Sequence, residues 1–238
     1  MRKIIFTLLL SYTFIGFSQN TAIPDSNFEQ ALIDLGIDTN STIDGQVLTA
    51  DIEGLRFLDV VNKNISDLTG IEGFISLTNL DCGDNQLTNL DVSNNLALTE
   101  LFCAFNQLTS LDVSNNTELT RLECFLNQLT SLDVSANPAL FALDCSDNVF
   151  TSLDVSNNTA LELLFCSSNQ LTSLDVSNNI ALTELFCFSN QLTSLDVTNN
   201  IALTILDVGD NLLTSLDLSN NIALTELECD ENQLTGLI

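Results

Sequence analysis

Residues 98–118 read LTELFCAFNQLTSLDVSNNTE, and closely related 21-residue blocks fill the last two-thirds of the chain. Three positions recur with this period: a leucine (Leu101 in this block), a cysteine two residues later (Cys103) and an asparagine five residues after the leucine (Asn106). The frame L-x-x-L-x-C-x-x-N-x-L and a period of roughly 20–29 residues are typical of leucine-rich repeats. The pattern therefore predicts a solenoid in which each coil contacts only its neighbours.

Each block has two halves. Residues 98–103 alternate between inward and outward positions, which predicts a strand of a parallel sheet. Residues 108–116 repeat the same logic, but about ten residues leave little room for a helix on the outer side, so we expect a short strand or an extended turn there. The predicted fold is a mainly β solenoid, a right-handed leucine-rich repeat superhelix with a concave parallel β-sheet.

The two ends of the chain differ in composition. Residues 1–18 carry Arg2 and Lys3 and then a mostly apolar run, which predicts a secretory signal peptide cleaved before Gln19. This run is too short to span a bilayer. Residues 55–238 predict the solenoid, with one 22-residue coil, then 21-residue coils, and a truncated last coil without a C-terminal cap.

Residues 19–54 predict an N-terminal cap, because stacked coils expose an apolar cross-section that must be covered. A short helix is expected after Asp25 or Ser26, either of which can cap its first turn. A hairpin is expected over residues 42–52, turning at Gly45.

Charge excludes several classes of partner. The chain has 32 acidic and 5 basic residues, a formal net charge of −27, and two of the basic residues lie in the predicted signal peptide. Such a surface repels nucleic acid and anionic membranes, and no segment of the mature chain predicts membrane insertion. A protein or peptide ligand is expected, and basic proteins and divalent cations are compatible with this charge.

The seven cysteines occupy one column of the repeat. Equivalent residues of stacked strands lie about 4.8 Å apart with parallel side chains, whereas the Cβ atoms of a disulfide converge to about 3.8 Å. Val60 and Val208 take the same position, as expected of a buried apolar slot. Buried, reduced thiols are therefore predicted. Disulfides or a metal site are the alternatives, although zinc needs four ligands and the chain has no histidine.

Three polar columns mark the corners of each coil. Two are asparagines, such as Asn148 and Asn158, whose amides can donate and accept and are predicted to satisfy the backbone of the turns. The third is aspartate, such as Asp154. These carboxylates predict either bridging calcium ions or acceptors for the backbone and hydroxyl groups of their own turns. The lack of a glycine-rich calcium-binding nonapeptide favours the second interpretation.

The frame L-x-x-L-x-C-x-x-N-x-L-T-x-L-D-V-S-x-N, over about residues 55–238, resembles the internalin-like leucine-rich repeat proteins in their 21-residue cysteine-ladder form. The leader and the segment IPDSNF at residues 23–28 are similar to those of secreted repeat proteins of Bacteroidetes-type bacteria. The resemblance implies a secreted or surface-displayed binding module, often acting in adhesion.

The sequence varies most at the positions beside each central leucine and after each cysteine, which are predicted to face solvent on the concave sheet. An aromatic and acidic strip there predicts the ligand-binding residues: Phe102, Phe105, Glu123, Phe125, Phe165, Glu184, Phe186 and Phe188. Exposed apolar patches usually mark an interaction surface. The alternative is that the rings stack on one another and shield the sheet. The mature chain has no tryptophan and no tyrosine, which favours a protein or peptide over a polysaccharide.

Nothing in the sequence predicts catalysis. The chain has no histidine and no glycine-rich phosphate loop, and its carboxylate pairs belong to the repeated scaffold, so neither an enzyme nor a cofactor is expected. The leading hypothesis is a secreted or cell-surface protein-recognition or adhesion module. The alternative is an extracellular matrix scaffold in which the acidic columns recruit calcium.

Overall fold

The computed structural model describes residues 19–236, so the predicted signal peptide and the last two residues lie outside the described residues. The main element is a nine-stranded parallel sheet whose neighbours follow chain order. Each strand has three residues: β3 Phe57–Asp59, β4 Asn79–Asp81, β5 Glu100–Phe102, β6 Arg121–Glu123, β7 Ala142–Asp144, β8 Leu163–Phe165, β9 Glu184–Phe186, β10 Ile205–Asp207 and β11 Glu226–Glu228.

The register of the sheet follows the sequence repeat. Leu101 lies between Leu80 and Leu122 in neighbouring strands, so equivalent residues of successive coils stack directly. The longer first coil keeps this register, because Leu58 pairs with Leu80. The predicted mainly β leucine-rich repeat solenoid is confirmed. The outer side consists of turns, with an isolated parallel bridge between Asp91 and Asp112.

The interior is one continuous apolar core that runs through the coils. Six cysteines, from Cys82 to Cys187 at the repeat interval, are fully buried, whereas Cys229 in the last coil is only partly buried. All seven are free thiols. Burial raises the pKa of Cys103 and Cys166 to about 12, so neither forms a reactive thiolate near neutral pH. The predicted column of buried, reduced cysteines is confirmed.

The first asparagine column joins each coil to the one before it. Asn148 Nδ2 donates to the carbonyls of Cys145 (3.2 Å) and Ser146 (3.0 Å) in its own coil and to that of Cys124 (3.1 Å) in the preceding coil. Its Oδ1 accepts the backbone N–H of Leu129 at 2.9 Å. The amide therefore satisfies four backbone groups in two coils, as predicted.

The second asparagine column is less completely paired. Asn158 Nδ2 donates to the carbonyls of Val134 and Asn137 in the preceding coil, both at 2.9 Å. The Oδ1 of Asn158 is buried without a donor among the described residues, and the same holds at the equivalent position of six other coils. This column also ties neighbouring coils together, but with fewer hydrogen bonds per residue.

The N-terminal segment folds over the first coil. Its elements are β1 Asn20–Ala22, α1 Ser26–Asp34, β2 Gln46–Leu48 and α2 Thr49–Ile52, and a single 3-10 turn, Ile71–Gly73, follows within the first coil. Phe28 of α1 is fully buried, and its ring stacks on that of Phe74 with centroids 6.1 Å apart. The apolar end of the core is therefore covered by the apolar side of α1.

Asp25 fixes α1 to the solenoid. Its Oδ1 accepts the N–H groups of Asn27 and Phe28 as the N-cap of the helix, and Ser26 is the first helical residue. Its Oδ2 accepts the backbone N–H and the hydroxyl of Ser66, both at 2.8 Å. Burial alone would raise the pKa of Asp25, but these hydrogen bonds to the ionised carboxylate outweigh it and lower the pKa.

The predicted hairpin over residues 42–52 is wrong. The turn at Gly45 is present, with φ +82°. However, β2 pairs antiparallel with β1, which places Val47 opposite Thr21, and the residues after β2 form α2. An isolated two-stranded hairpin is marginally stable in water. In the observed arrangement β2 takes its backbone partners from β1, and the side chain of Val47 is fully buried.

Glu29 of α1 holds the turn before β2 in place. Its side chain is fully buried and accepts the backbone N–H groups of Asp44 (2.8 Å), Gly45 (2.9 Å) and Gln46 (3.2 Å). A buried carboxylate is stable only when hydrogen bonds replace its lost hydration, and these three donors supply them.

Candidate recognition surface

The open surface of the nine-stranded sheet, called the sheet face below, carries the residues that flank each central leucine and the two residues after each cysteine position. All eight predicted site residues belong to these positions: Phe102, Glu123, Phe165, Glu184 and Phe186 lie within strands, and Phe105, Phe125 and Phe188 follow the cysteine column. Phe105 is half exposed, and the other seven are partly buried.

The aromatic residues form two clusters. The first cluster is Phe102, Phe105 and Phe125, and the rings of Phe105 and Phe125 meet edge to face with centroids 5.2 Å apart. In the second, the rings of Phe165 and Phe186 are stacked, with centroids 4.9 Å apart and planes inclined by 16°. The strands β5 and β8 that carry the two clusters are three strands apart, or about 14 Å at the usual strand spacing. Within each cluster one pair of rings is in contact, and none of the five rings is fully buried.

The two acidic members of the strip differ in their surroundings. Glu123 lies beside Phe102 in the neighbouring strand, so the structure brings it into the first cluster. Glu184 lies on the opposite side of the leucine column, between Leu163 and Ile205, and does not join the second cluster.

Arg121 adjoins the first cluster, although it is not among the eight predicted site residues. Its guanidinium lies 5.3 Å from the centre of the Phe102 ring, and it donates to Glu123 Oε1 from Nη2 (2.6 Å) and Nε (2.9 Å). The contact joins a cation to an aromatic face and a carboxylate. The alternation of residues within β6 places Arg121 and Glu123 on the same face, which is the available sequence signal.

A column of left-handed residues ends each strand segment. The fourth residue after the central leucine has a φ of 50–55° in every coil: Asn62, Asp84, Phe105, Leu126, Asp147, Ser168, Ser189, Asp210 and Glu231. This conformation costs roughly 1–2 kcal/mol per residue for side chains with a Cβ. In every coil but the first, where Lys63 follows, it turns the chain so that the next residue, the ladder asparagine, points inward. At Phe105 and Leu126 it also presents a large apolar side chain at the edge of the sheet face.

Carboxylates of the sheet face are poorly compensated. Burial raises the pKa of Asp81, and the charges of Asp59 and Glu123 raise it further. Burial also raises the pKa of Asp144 and of Asp207 in the same column, with neighbouring carboxylates adding to the effect. Burial and the neighbouring carboxylates both disfavour the charged forms of these three aspartates.

The aspartate column on the outer side behaves differently. Asp154 Oδ1 accepts the backbone N–H of Ser156 at 2.9 Å, and the equivalent aspartates make the same contact. Hydrogen bonds from the serines lower the pKa of these carboxylates. The interpretation of the column as turn acceptors is confirmed. Within residues 19–236, no group of three or more potential metal-binding side chains converges.

No protein-family model matches the chain, and no curated protein matches it. Among solved structures, the functional domain of InlJ from Listeria monocytogenes, which includes a cysteine ladder, is 38% identical with a TM-score of 0.76 over 93% of this chain. The chain is an internalin-like leucine-rich repeat protein with a cysteine ladder. It spans 54% of the length of the InlJ structure.

Two other structures extend the comparison of this internalin-like chain. Internalin C2 from Listeria monocytogenes has a TM-score of 0.78 at 22% identity, covering 93% of this chain and 99% of its own, and shows the shared fold. The LRIM1/APL1C complex matches at 25% identity with a TM-score of 0.67, covering 80% of this chain and 38% of the matched chain. These matches are to leucine-rich repeat proteins of the recognition type, and no catalytic family is among them. No helix within the described residues is long and apolar enough to cross a membrane.

Proposed function

We propose that this protein is a secreted or cell-surface recognition module that binds a protein or peptide ligand through its concave sheet face. The binding residues in this proposal are Phe102, Phe105, Glu123, Phe125, Phe165, Glu184, Phe186 and Phe188. The observation that carries the proposal is the placement of two aromatic clusters on the open surface of the sheet, among acidic side chains and outside the apolar core.

The contrast between the two surfaces of the solenoid supports this assignment. On the outer side, the aspartates are already used by their own turns, and the same contacts recur from coil to coil. On the sheet face, side chains differ between coils, and several carboxylates have no basic partner. Surface variation on a regular scaffold is where recognition is expected, because the scaffold itself is satisfied without those residues.

Charge and spacing narrow the ligand. A net charge of −27 favours a basic partner through long-range attraction. The separation of about 14 Å between clusters corresponds to roughly four residues of an extended peptide. An extended basic segment whose side chains reach both clusters, about four residues apart, fits this arrangement. The LRIM1/APL1C complex provides an example of a leucine-rich repeat protein in association with another protein.

Secretion is the second part of the proposal and rests on residues 1–18. Arg2 and Lys3, the apolar run and the small residues Gly16 and Ser18 form the pattern of a signal peptide. Expression of the full chain in a bacterial host should release a protein whose N-terminus, read by mass spectrometry, is Gln19. Retention of the intact chain in the cytoplasm would contradict this part alone.

Binding can be tested with a displayed library of random twelve-residue peptides selected on the folded protein. Phe165→Ser/Phe186→Ser should weaken the selected peptides at least tenfold, since each ring buried in a complex contributes about 1.5–3 kcal/mol. The matched control is Ile180→Ser/Ile201→Ser, which removes two side chains that are each 61% exposed and lie outside the strands.

Far-UV circular dichroism should show that both double variants remain folded. The proposal requires the control to bind like the wild type. It fails if the sheet-face variant binds like the wild type, or if both variants lose binding equally.

A further inference from the structure

The first aromatic cluster borders a cavity of about 360 Å³ on the sheet face. Its floor consists of Gly83 and Ala104, and the rings of Phe102, Phe105 and Phe125 stand around it. The small residues create the space, because the same repeat position holds phenylalanine in the coil of Phe125. A Cβ on Gly83 would already lie 3.4 Å from the carbonyl oxygen of Ala104.

Three carboxylates line the same cavity: Asp81, Asp84 and Glu123. Asp81 Oδ1 accepts the N–H of Gly83 at 3.1 Å. Within residues 19–236, the sole ion pair is that between Arg121 and Glu123, so neither Asp81 nor Asp84 is neutralised by a basic side chain. The cavity thus combines aromatic surface with uncompensated negative charge.

One cation of the protein itself, the guanidinium of Arg121, is bound at this surface. At the rim of the cavity, the Arg121 guanidinium rests against the Phe102 ring and is held by Glu123. The other two rings and the other two carboxylates repeat the same pair of chemical groups, without an internal cation to occupy them. Guanidinium and ammonium groups favour such sites, because a ring face and a carboxylate both attract them.

We propose that this cavity receives one basic side chain, arginine or lysine, of the protein ligand. The aliphatic stem lies against Phe105 and Phe125, and the charged end reaches Asp81 and Asp84. This inference rests on the proposed recognition function and specifies the residue type that the N-terminal half of the sheet face selects. An apolar anchor would leave both carboxylates desolvated without a partner, which disfavours it.

The experiment uses small ligands, so no natural partner is required. N-acetyl-arginine amide and N-acetyl-lysine amide are titrated into the protein and followed by two-dimensional ¹H–¹⁵N spectra. N-acetyl-citrulline amide is the matched neutral ligand, since it has nearly the shape of the arginine compound without its charge. At least one cationic compound should shift the amide signals of Gly83, Ala104 and Phe105. The citrulline compound should bind at least about tenfold more weakly, because it has no positive charge.

The decisive variant is Asp81→Asn/Asp84→Asn. Asparagine keeps the acceptor for the Gly83 N–H and is well tolerated at the left-handed position of Asp84. Its matched control is Asp144→Asn/Asp147→Asn, which removes two charges from the same two repeat positions of a coil that does not line the cavity. The affinity for the cationic compound should fall about tenfold in the first variant and much less in the control.

Three results would overturn the cavity assignment. Equal losses of affinity in both variants would mean that the ligand is attracted by the general negative charge alone. The other two are an unchanged affinity in both variants and a citrulline compound that binds as tightly as the arginine compound. None of these results would affect the peptide-selection test with Phe165 and Phe186, because those residues lie in the other cluster. The failure of the basic-residue cavity can therefore be told apart from the failure of the sheet face as a recognition surface.

Discussion

Replacing one ladder asparagine should destabilise the solenoid by several kilocalories per mole. Asn148 makes four hydrogen bonds to backbone groups of two coils, and the side chain is 7% exposed. Because the two N–H donors of Asn148 are shared among three carbonyls, the loss equals about three full hydrogen bonds, and at about 1 kcal/mol net each Asn148→Ala should cost about 3 kcal/mol. Asn148→Asp should cost more, because a carboxylate cannot donate and would face three carbonyl oxygens.

Asn157 provides the matched control in the same solenoid. Its Nδ2 makes one exposed contact of 3.5 Å with the carbonyl of Ser135, so Asn157→Ala should change the free energy of unfolding by less than about 0.5 kcal/mol. Urea unfolding followed by far-UV circular dichroism is the appropriate assay, since the chain has no tryptophan and its one tyrosine, Tyr12, is in the predicted leader. A loss below about 0.5 kcal/mol for Asn148→Ala, or equal losses for the two alanine variants, would refute the reasoning.

Three further predictions concern the N-terminal segment. Gly70 has a φ of +106°, and an added Cβ would lie 2.5 Å from the carbonyl oxygen of Ala22, so Gly70→Ala should lower the free energy of unfolding in urea by at least about 2 kcal/mol. A Cβ on Gly54 meets nothing within 4 Å, so the control Gly54→Ala should cost less than about 0.5 kcal/mol. Similar costs for the two variants would contradict the packing of this segment on the first coil. Glu29→Ala leaves three backbone N–H groups without an acceptor and should lower the free energy of unfolding by about 3 kcal/mol. Glu29→Gln keeps an acceptor and should cost less, and equal losses for the two variants would argue against these hydrogen bonds. The pKa of Asp25 is lowered from 3.8 in the folded protein, so its ionised form stabilises the fold fully above pH 3.8 and loses that contribution as the pH falls through the lowered pKa. The difference in Tm between the wild type and Asp25→Asn should therefore be largest at neutral pH and shrink near pH ~2. A difference that stays constant with pH would contradict this role of the Asp25 carboxylate.

Periodicity explains why so much of the fold could be predicted. A strict 21-residue repeat places Cys103 over Cys82 and Asn106 over Asn85, so burial and the role of each column follow once stacking is assumed. The helix start was equally readable, because Asp25 is a strong N-cap residue. These features depend on local spacing, which a single sequence contains.

Other features depend on contacts between distant or variable residues. The pairing of β1 with β2 was missed because three residues at Asn20–Ala22 carry no strand signal of their own, and burial of Glu29 could not be read from a charged residue on a short helix. The left-handed column has no common residue type, since it includes Phe105 and Asp147. The sequence therefore predicts which residues lie on the open surface of the sheet, but not how their rings cluster or that a cavity opens beside them.

The stacking of equivalent residues into a dry interior is the claim on which both the fold and the assignment of the sheet face depend. Counting reactive thiols tests it directly, by adding a thiol reagent to the native protein and to the protein in urea, both without reductant. Cys229 alone should react rapidly in the native protein, and all seven cysteines should react in urea, because the other six are fully buried and none forms a disulfide. Rapid reaction of several native thiols, or fewer than seven reactive thiols in urea, would contradict the account.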